Sequence, residues 1–341
     1  MTMTNRERFS ALMNFQPVDR LPVIEWANWW NETVDRWHED GLPASCASRK
    51  DICRYFGLDR IETAWFKPYG TCPRGSGRHD RQAGILAHVT DYEQARSMMF
   101  PDKSPDPGQL EKTAAIQQED VVTFLQLDGF FWCPREVFGV ERHLFAFYDE
   151  PDVMNDLNSR LLEWNIRQID KVLEIYKPEY IVFAEDMTYN NGPMLSRIQF
   201  DEFIMPCYRE IVAHLKGSGI PVMVDSDGDI HELTAWFSDA GISGMLPLER
   251  QAGTDVSFLR KNFPTMRFLG NFDKTTMHLG EQELRAEFER LMPAAVQGGY
   301  AISCDHQAPP AVSCDDYKRY IQLFREYAQK AGREMRASMG E

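Results

Sequence analysis

The chain has 341 residues, 43% of them apolar and 26% charged, which is typical of an ordinary globular protein. Its formal net charge of −15 argues against nucleic acid or an anionic membrane as a partner, and no apolar run reaches the roughly 20 residues that a bilayer span requires. The N-terminus has no apolar signal-peptide core, and the seven cysteines include no CxxC pair, so we expect free thiols and a cytoplasmic location.

Short apolar segments alternate with helical periodicity along the chain. A T-x-x-E capping box at Thr4 and Glu7 precedes the first helix, which Pro17 ends. Buried parallel strands are predicted at 22–26, 60–66, 121–129, 180–187, 221–228, 244–250, 267–273 and 299–306. Further helices are predicted at 29–42, 49–56, 91–99, 109–118, 164–176, 200–216, 230–240, 256–262, 281–297 and 315–330.

Eight strand–helix pairs predict an α/β fold of the (β/α)8 TIM-barrel type. An open doubly wound sheet is the weaker alternative, because no G-x-G-x-x-G follows the first strand and no P-loop occurs. We accordingly expect neither NAD nor a nucleotide as cofactor. No linker divides the chain, so residues 1–341 are predicted to form a single domain. The polar, glycine-containing insert at 67–87 is interpreted as a hairpin or lid.

Polar and aromatic side chains follow nearly every predicted strand. In a barrel of this type the active site lies at the carboxyl ends of the strands. Those ends carry Glu25, Trp26, Trp65, Asp128, Glu185, Asp186, Asp225, Asp227, Glu249, Arg250, Asn271, Asp273, Cys304, Asp305 and His306. Several carboxylates in one space of low dielectric constant do not all stay ionised alone. Either they share protons, or a metal or an organic cation lies among them.

Three of these residues are predicted to be catalytic: His306, Asp227 and Glu185. Asp225 and Asp227 are two residues apart and face the same side if the strand continues. Glu185 and Asp186 would face opposite sides, and we expect Glu185 to point into the pocket. The predicted substrate-binding residues are Trp26, Glu25, Asp128, Trp132, Asn271 and Asp273.

Each assignment has a structural alternative. His306 could order a loop, and the Asp225–Asp227 pair could form Asx turns. Asn271 and Asp273 could cap the following helix. The tryptophans could belong in part to the core, and a cysteine such as Cys304 is more often inert in a buried strand.

Several motifs carry a resemblance to a known family. They are N-R-E-R-F-S-A-L-M-N-F-Q-P-V-D-R-L-P-V at 5–23, G-P-M-L-S at 192–196, F-D-E-F-I-M-P at 200–206, F-L-G-N-F-D at 268–273 and C-D-H-Q-A-P-P at 304–310. In these motifs and in the order of its elements the chain resembles the uroporphyrinogen decarboxylase superfamily. The resemblance implies a (β/α)8 barrel and one of two chemistries: metal-free decarboxylation of a porphyrinogen, or zinc-assisted methyl transfer between corrinoid proteins and thiols.

The chain departs from both chemistries at named positions. His306 falls where the decarboxylases have an active-site histidine, but E-W-A-N-W-W-N-E-T at 25–33 lacks the arginines that bind their substrate carboxylates. Asp225 and Asp227 occupy the methyltransferases' zinc-binding H-x-C positions, and Cys304 matches their later cysteine. The resemblance thus implies a divalent metal, zinc being the candidate, at Asp225, Asp227 and Cys304, since zinc accepts carboxylate ligands.

The leading functional hypothesis is a methyltransferase of the corrinoid-linked type that acts on a small, cationic methylated substrate. It implies a methylated corrinoid borne by a partner corrinoid protein, and barrels of this kind often form homodimers. The alternatives are a decarboxylase-like lyase that acts on a small acid or a porphyrinogen, and a non-catalytic barrel that only binds a ligand.

Overall fold

A seven-stranded parallel sheet forms the centre of the protein, as seen in a computed structural model that describes residues 2–74 and 82–338. Each strand pairs in parallel with the next strand of the sheet along the chain. The strands are β1 (Ile61–Phe66), β2 (Val122–Asp128), β3 (Tyr180–Ala184), β4 (Val222–Asp225), β5 (Gly244–Leu246), β6 (Arg267–Phe272) and β7 (Tyr300–Cys304).

Helices connect the strands, as parallel pairing requires. They are α1 (Asn5–Met13), α2 (Asn31–Glu39), α3 (Arg49–Phe56), α4 (Tyr92–Met98), α5 (Pro107–Gln118), α6 (Trp132–Phe138), α7 (Arg142–Asp149), α8 (Pro151–Leu173), α9 (Met205–His214), α10 (His231–Asp239), α11 (Val256–Asn262), α12 (Glu281–Ala295) and α13 (Cys314–Ser338). Within residues 2–74 and 82–338, no helix has the length and apolar character to cross a membrane.

The apolar pattern of the sequence explains most of these elements. Every residue of β2 and β3 is buried, as expected for strands that are covered on both faces. At the start of α1, the Thr4 hydroxyl accepts from the Glu7 amide while the Glu7 carboxylate accepts from the Thr4 amide, which confirms the predicted capping box.

Several helices differ from those predicted from the sequence, and three of these carry a proline in the first turn. Helices α6 and α7 were not predicted, and α8 begins well before the predicted range 164–176. Pro134 and Pro151 lie in the first turns of α6 and α8, where the missing amide hydrogen has no intrahelical role. Pro206 likewise follows a π-helical turn at Phe200–Ile204, which interrupts the predicted helix 200–216 before α9.

The predicted first strand at 22–26 is wrong, because this buried segment pairs with no strand in the part of the chain that the structure describes. Pro22 has no amide hydrogen, and the Val23 amide donates to the Asp59 carboxylate at 2.9 Å, so two donors of a ladder are missing. The Val23 carbonyl accepts from the Asp59 amide at 2.9 Å. The structure therefore has seven of the eight predicted parallel strands.

The Glu25 side chain joins this segment to the end of the sheet. One carboxylate oxygen accepts from the Ser303 hydroxyl at 2.9 Å and the Cys304 amide at 3.0 Å, and the other accepts from the Tyr320 hydroxyl at 2.9 Å. The side chain is 4% exposed, and burial raises the pKa of Glu25. One carboxylate thus ties segment 22–26 to β7 and α13 by contacts that satisfy it completely.

We expect the Glu25→Ala substitution to lower the free energy of unfolding by about 3 kcal/mol, because it leaves buried hydroxyl and amide donors without an acceptor. Urea denaturation of the variant and the wild type measures the difference. Glu39→Ala on the exposed end of α2 is the matched control, with an expected change within ~0.5 kcal/mol. Equal stability of the two variants would contradict the role assigned to Glu25.

Candidate active site

The carboxyl ends of the parallel strands bring distant acidic residues together at one edge of the sheet. The amides of Glu185 and Asp186, just after β3, both donate to the carbonyl of Asp225 at the end of β4, at 2.9 and 3.3 Å. The Ser226 amide donates in turn to the Leu246 carbonyl at the end of β5, at 3.0 Å. Backbone pairing therefore continues past the strands and fixes residues 185–186 beside residues 225–227.

Asp186, Asp225 and Asp227 form an acidic cluster at this edge. Asp186 has a φ of +42°, a conformation that non-glycine residues rarely adopt, and its carboxylate accepts from the Asp227 amide at 3.5 Å. Burial raises the pKa of Asp186, and Arg135 opposes that rise. Burial and the neighbouring charges of Asp186 and Asp227 raise the pKa of Asp225 well above its usual value. The charge of Asp186 thus disfavours the ionised form of both Asp225 and Asp227.

Asp227 and His306 lie beside each other at this edge of the sheet. The Asp227 Oδ2 lies 3.7 Å from the His306 Nε2, and their side chains are 37% and 30% exposed. Burial, with the charges of Asp186 and Glu249, raises the pKa of Asp227 to about 8. Burial and the nearby charge of Lys274 lower the pKa of His306. At neutral pH the carboxyl group therefore holds a proton beside a neutral imidazole.

Trp26 forms a wall next to this pair. Its ring meets the His306 ring edge-on with centroids 6.3 Å apart, and its Nε1 donates to the Cys304 carbonyl at 3.0 Å. Of the predicted aromatic substrate contacts, Trp26 lies beside the Asp227–His306 pair. Trp132 lies at the start of α6, and its amide donates to Glu185 at 3.0 Å.

Lys274 is a cation within the site that the sequence analysis missed. Its Nζ lies 3.4 Å from both Glu249 Oε1 and Asp305 Oδ1. Burial alone would lower the pKa of Lys274, but Asp305 and Glu249 outweigh it and raise the pKa. Asp305 also accepts from the Arg250 amide at 3.1 Å, while burial raises its pKa to about 6. The signal in the sequence was the position of Lys274 directly after the predicted strand 267–273.

Glu185 does not face the acidic cluster. Its carboxylate accepts from the amides of Phe130 and Phe131 at 2.8 Å, from the Trp132 amide at 3.0 Å and from the Tyr208 hydroxyl. Burial raises the pKa of Glu185 to about 7. The side chain is fully buried, and its hydrogen-bonding capacity is spent on the loop that precedes α6.

Asp186, and not Glu185, belongs to the acidic cluster at this edge. The prediction assumed strand alternation through residue 187, but β3 ends at Ala184 and the positive φ of Asp186 breaks the alternation. Gly129 makes the arrangement of Glu185 feasible, because a Cβ atom at that position would overlap the Glu185 carboxylate.

Three of the other predicted substrate-binding residues make their hydrogen bonds within the protein. Buried Asp128 accepts from Trp65 Nε1 at 2.8 Å and from the Tyr69 hydroxyl, and burial raises its pKa. Buried Asn271 donates to the Leu248 carbonyl at 2.8 Å and to the Thr254 carbonyl at 3.0 Å. Asp273 accepts from the Thr275 amide at 2.9 Å, which is the predicted capping alternative. Among the residues that the structure describes, neither these side chains nor Glu25 form a hydrogen bond with the acidic cluster.

The predicted zinc ligands do not converge. Within residues 2–74 and 82–338, no group of three histidine, cysteine, aspartate or glutamate side chains is arranged to hold a metal ion. Cys304 is 3% exposed, and burial followed by the charge of Glu25 raises the pKa of its thiol well above the usual value. Asp225 and Asp227 face Asp186 instead. A thiolate-containing zinc site therefore does not fit these residues.

The predicted insert at 67–87 packs near this edge where it is described. The Arg74 guanidinium lies 2.7 Å from Glu136, and the Val140 amide donates to the Gln82 carbonyl at 2.9 Å. Residues 75–81, the middle of the proposed lid, lie outside the described residues.

Comparison with known proteins relates the chain to one family. Residues 136–327, more than half of the chain, match the family model described as uroporphyrinogen decarboxylase (URO-D). Proteins named uroporphyrinogen decarboxylase from Listeria monocytogenes and Listeria innocua are 26% and 25% identical over 141 and 142 residues. These matches cover 40% of this chain and 38% of each relative, so the chain spans well under half the length of these relatives.

A solved structure extends the likeness to nearly the whole chain. A methyltransferase from Methanosarcina mazei superposes on 95% of this chain and 98% of its own, with a TM-score of 0.66 and 14% sequence identity. At this identity the likeness shows a shared fold.

Substitutions at the adjacent residues Glu185 and Asp186 are expected to differ in their effect on the free energy of unfolding. Glu185→Gln should lower the free energy of unfolding by about 2 kcal/mol, because its amide nitrogen would face amide donors. Asp186→Asn should not lower it, because asparagine tolerates positive φ and the change relieves repulsion within the acidic cluster. Urea denaturation at pH 7 tests both variants. A similar loss in both would mean that Asp186 is a structural residue as well.

The raised pKa of Asp227 predicts a pH-dependent effect on stability. Between the unfolded value near 3.9 and the folded value of about 8, the unfolded chain releases a proton that the folded chain keeps, so wild-type stability falls as pH rises through this window. Asp227→Asn removes this loss. Because the side chain is 37% exposed and screened by water, we expect a gain of only about 2 °C in Tm at pH 8 and none at pH 4.

Calorimetry at both pH values measures these changes in Tm. Asp149→Asn, an exposed substitution of the same chemistry, should leave Tm unchanged at either pH. A lower Tm for Asp227→Asn at pH 8 would show that the carboxylate is stabilised in the folded state.

Proposed function

Since the chain belongs to the uroporphyrinogen decarboxylase superfamily, we propose that it is an enzyme that transfers a methyl group from a small cationic substrate bound at the acidic cluster. The observation that carries this proposal is the gathering of Asp186, Asp225 and Asp227, in which the charge of Asp186 raises the pKa of both Asp225 and Asp227. Within the described ranges, the Asp225 carboxylate receives no hydrogen bond, so its repulsion with its neighbours stays uncompensated. A bound cation relieves that repulsion, and Trp26 offers an aromatic wall.

The same charge argues against a porphyrinogen substrate. A porphyrinogen carries several carboxylates, and an acidic cluster that already disfavours negative charge on its own carboxyl groups disfavours additional anions. Segment 25–33, the place at which decarboxylases of this family carry arginines, has none. A substrate with a positive reacting end suits these charges better.

The proposed step breaks the carbon–nitrogen bond of a methylated ammonium group. The methyl group passes to a nucleophilic acceptor, the bonding electron pair stays on nitrogen, and the substrate leaves as an amine. That amine is a base, and Asp227, which holds a proton at neutral pH, lies where it can protonate the amine. The ammonium product carries this proton away, and His306 at 3.7 Å can take a proton from water and pass it to the Asp227 carboxylate before the next turnover.

A corrinoid carried by a partner protein would supply the nucleophilic acceptor. Exposed aromatic rings border the strand ends and would contact such a macrocycle: Trp65, 38% exposed, donates to Asp128, and Tyr189, 50% exposed, lies against Gly228 through its backbone.

A carboxy-lyase acting on a small acid is the second candidate. The Asp227–His306 pair favours it, because loss of carbon dioxide leaves an electron pair on carbon that a nearby proton donor must quench. Asp227 can supply that proton, and the curated relatives carry the name of a decarboxylase. This reading requires no metal.

Finer features of the chain stay predictions. We infer that segment 22–26 takes the position of an eighth barrel strand, since it contacts residues beside both β1 and β7. A corrinoid-protein partner, a homodimer and a cytoplasmic location follow from the sequence analysis and await their own experiments.

Methyl transfer can be measured directly. We expect the purified protein to transfer a methyl group to reduced cobalamin from at least one member of a panel of methylated ammonium compounds. The change in the absorption spectrum of cobalamin measures the reaction. Asp227→Asn should slow the reaction by roughly 100-fold, the usual effect of losing a general acid. Asp149→Asn is the control and should keep the full rate.

The competing function has a separate readout. The lyase assignment would replace methyl transfer if the protein releases carbon dioxide from small carboxylic acids. This release should be unaffected by a chelator and lost in His306→Ala. Absence of both reactions across the two panels would contradict an enzymatic role for the Asp227–His306 pair.

A further inference from the structure

Trp132 and Arg135 form a second polar region beside the acidic cluster. Both lie on α6, three residues apart, so their side chains share one face of the helix. The guanidinium carbon of Arg135 lies 4.9 Å from the centre of the Trp132 ring. The stack orients the planar guanidinium group, which presents its N–H donors along its edge.

Unused hydrogen-bond donors mark this region. The Trp132 Nε1 is buried without an acceptor, which is costly for an indole N–H group. No hydrogen bond from the Arg135 guanidinium is found among residues 2–74 and 82–338. Two adjacent donors of this kind call for an acceptor that carries negative charge.

The position of Arg135 relative to the acidic cluster suggests what that acceptor is. Among the neighbouring charged groups, Arg135 acts most strongly on Asp186 and opposes the rise in its pKa. Asp186 follows Glu185, which fixes the backbone of residues 130–132 through three amide hydrogen bonds. The Glu185 carboxylate thus links helix α6, which carries Arg135, to the segment after β3, which carries Asp186.

We infer that Arg135 and the Trp132 Nε1 form a carboxylate-binding subsite, and that the substrate is an N-methylated amino acid whose ammonium end meets the acidic cluster. Only the placement of the ammonium end in this inference rests on the proposed function. The carboxylate end takes the two unused donors, and the guanidinium group matches the geometry of a carboxylate. Arg135 is then a specificity-determining residue rather than a participant in proton transfer.

The test compares two ligands that differ at one end. Trimethylglycine and choline share the trimethylammonium group, but a carboxylate in the first is replaced by a hydroxymethyl group in the second. We expect the wild-type chain to bind trimethylglycine about tenfold more tightly than choline by isothermal titration calorimetry. Arg135→Gln should abolish this ratio through weaker binding of trimethylglycine, with choline binding no worse.

Two further variants separate the contributions. Trp132→Phe keeps the ring but removes the N–H group, and it should reduce the ratio by about threefold. Arg142→Gln on the neighbouring helix α7 is the matched control, because Arg142 pairs with Glu150 at 2.8 Å; it should leave the ratio unchanged.

The outcomes distinguish the two proposals. Equal affinity of the wild type for both ligands would overturn the carboxylate subsite and leave the cationic site intact. A ratio that survives in Arg135→Gln would overturn the assignment to Arg135. Failure of the wild type to bind either ligand would overturn both the subsite and the proposed cationic substrate.

Discussion

The rest of the site depends on one constraint, which is the repulsion among three partly exposed aspartates. Asp186, Asp225 and Asp227 come from two neighbouring strands whose backbone pairing fixes their separation. The sheet and the hydrogen bonds of the buried carboxylates around it must supply the free energy that holds these groups together. A site built this way is destabilising when empty, and this is a common property of sites that bind or transform a charged ligand.

The acidic residues of the strand ends divide into two groups by their hydrogen bonds. Glu25 and Glu185 are fully buried or nearly so, and each accepts from several donors that belong to different segments. They connect loops and helices to the sheet. The acidic cluster, in contrast, has few donors and partial exposure. Satisfied carboxylates here act as structural connectors, while unsatisfied carboxylates are available to a ligand.

The sequence predicted the fold where local pattern decides it. The apolar runs of β2 to β7 have counterparts within a few residues, because strands that are buried on both faces require such runs. Segment 22–26 shows the same pattern but pairs with no strand, since Asp59, distant in sequence, takes the Val23 amide. Helix α6 was not predicted, and its seven residues include Pro134, which a helix accommodates only in its first turn. The choice of Glu185 over Asp186 depended on one backbone angle, and no sequence pattern encodes that angle.

The adjacency of Glu185 and Asp186 has a mechanical consequence. One peptide unit joins the Glu185 side chain, which is held by the loop before α6, to the Asp186 side chain of the acidic cluster, so neither can shift without moving the other. Gly129 and Tyr208, which lie against the Glu185 carboxylate, thereby influence the orientation of Asp186 through the backbone. Substitutions at such remote positions can therefore change the orientation of Asp186 while every residue of the acidic cluster stays the same.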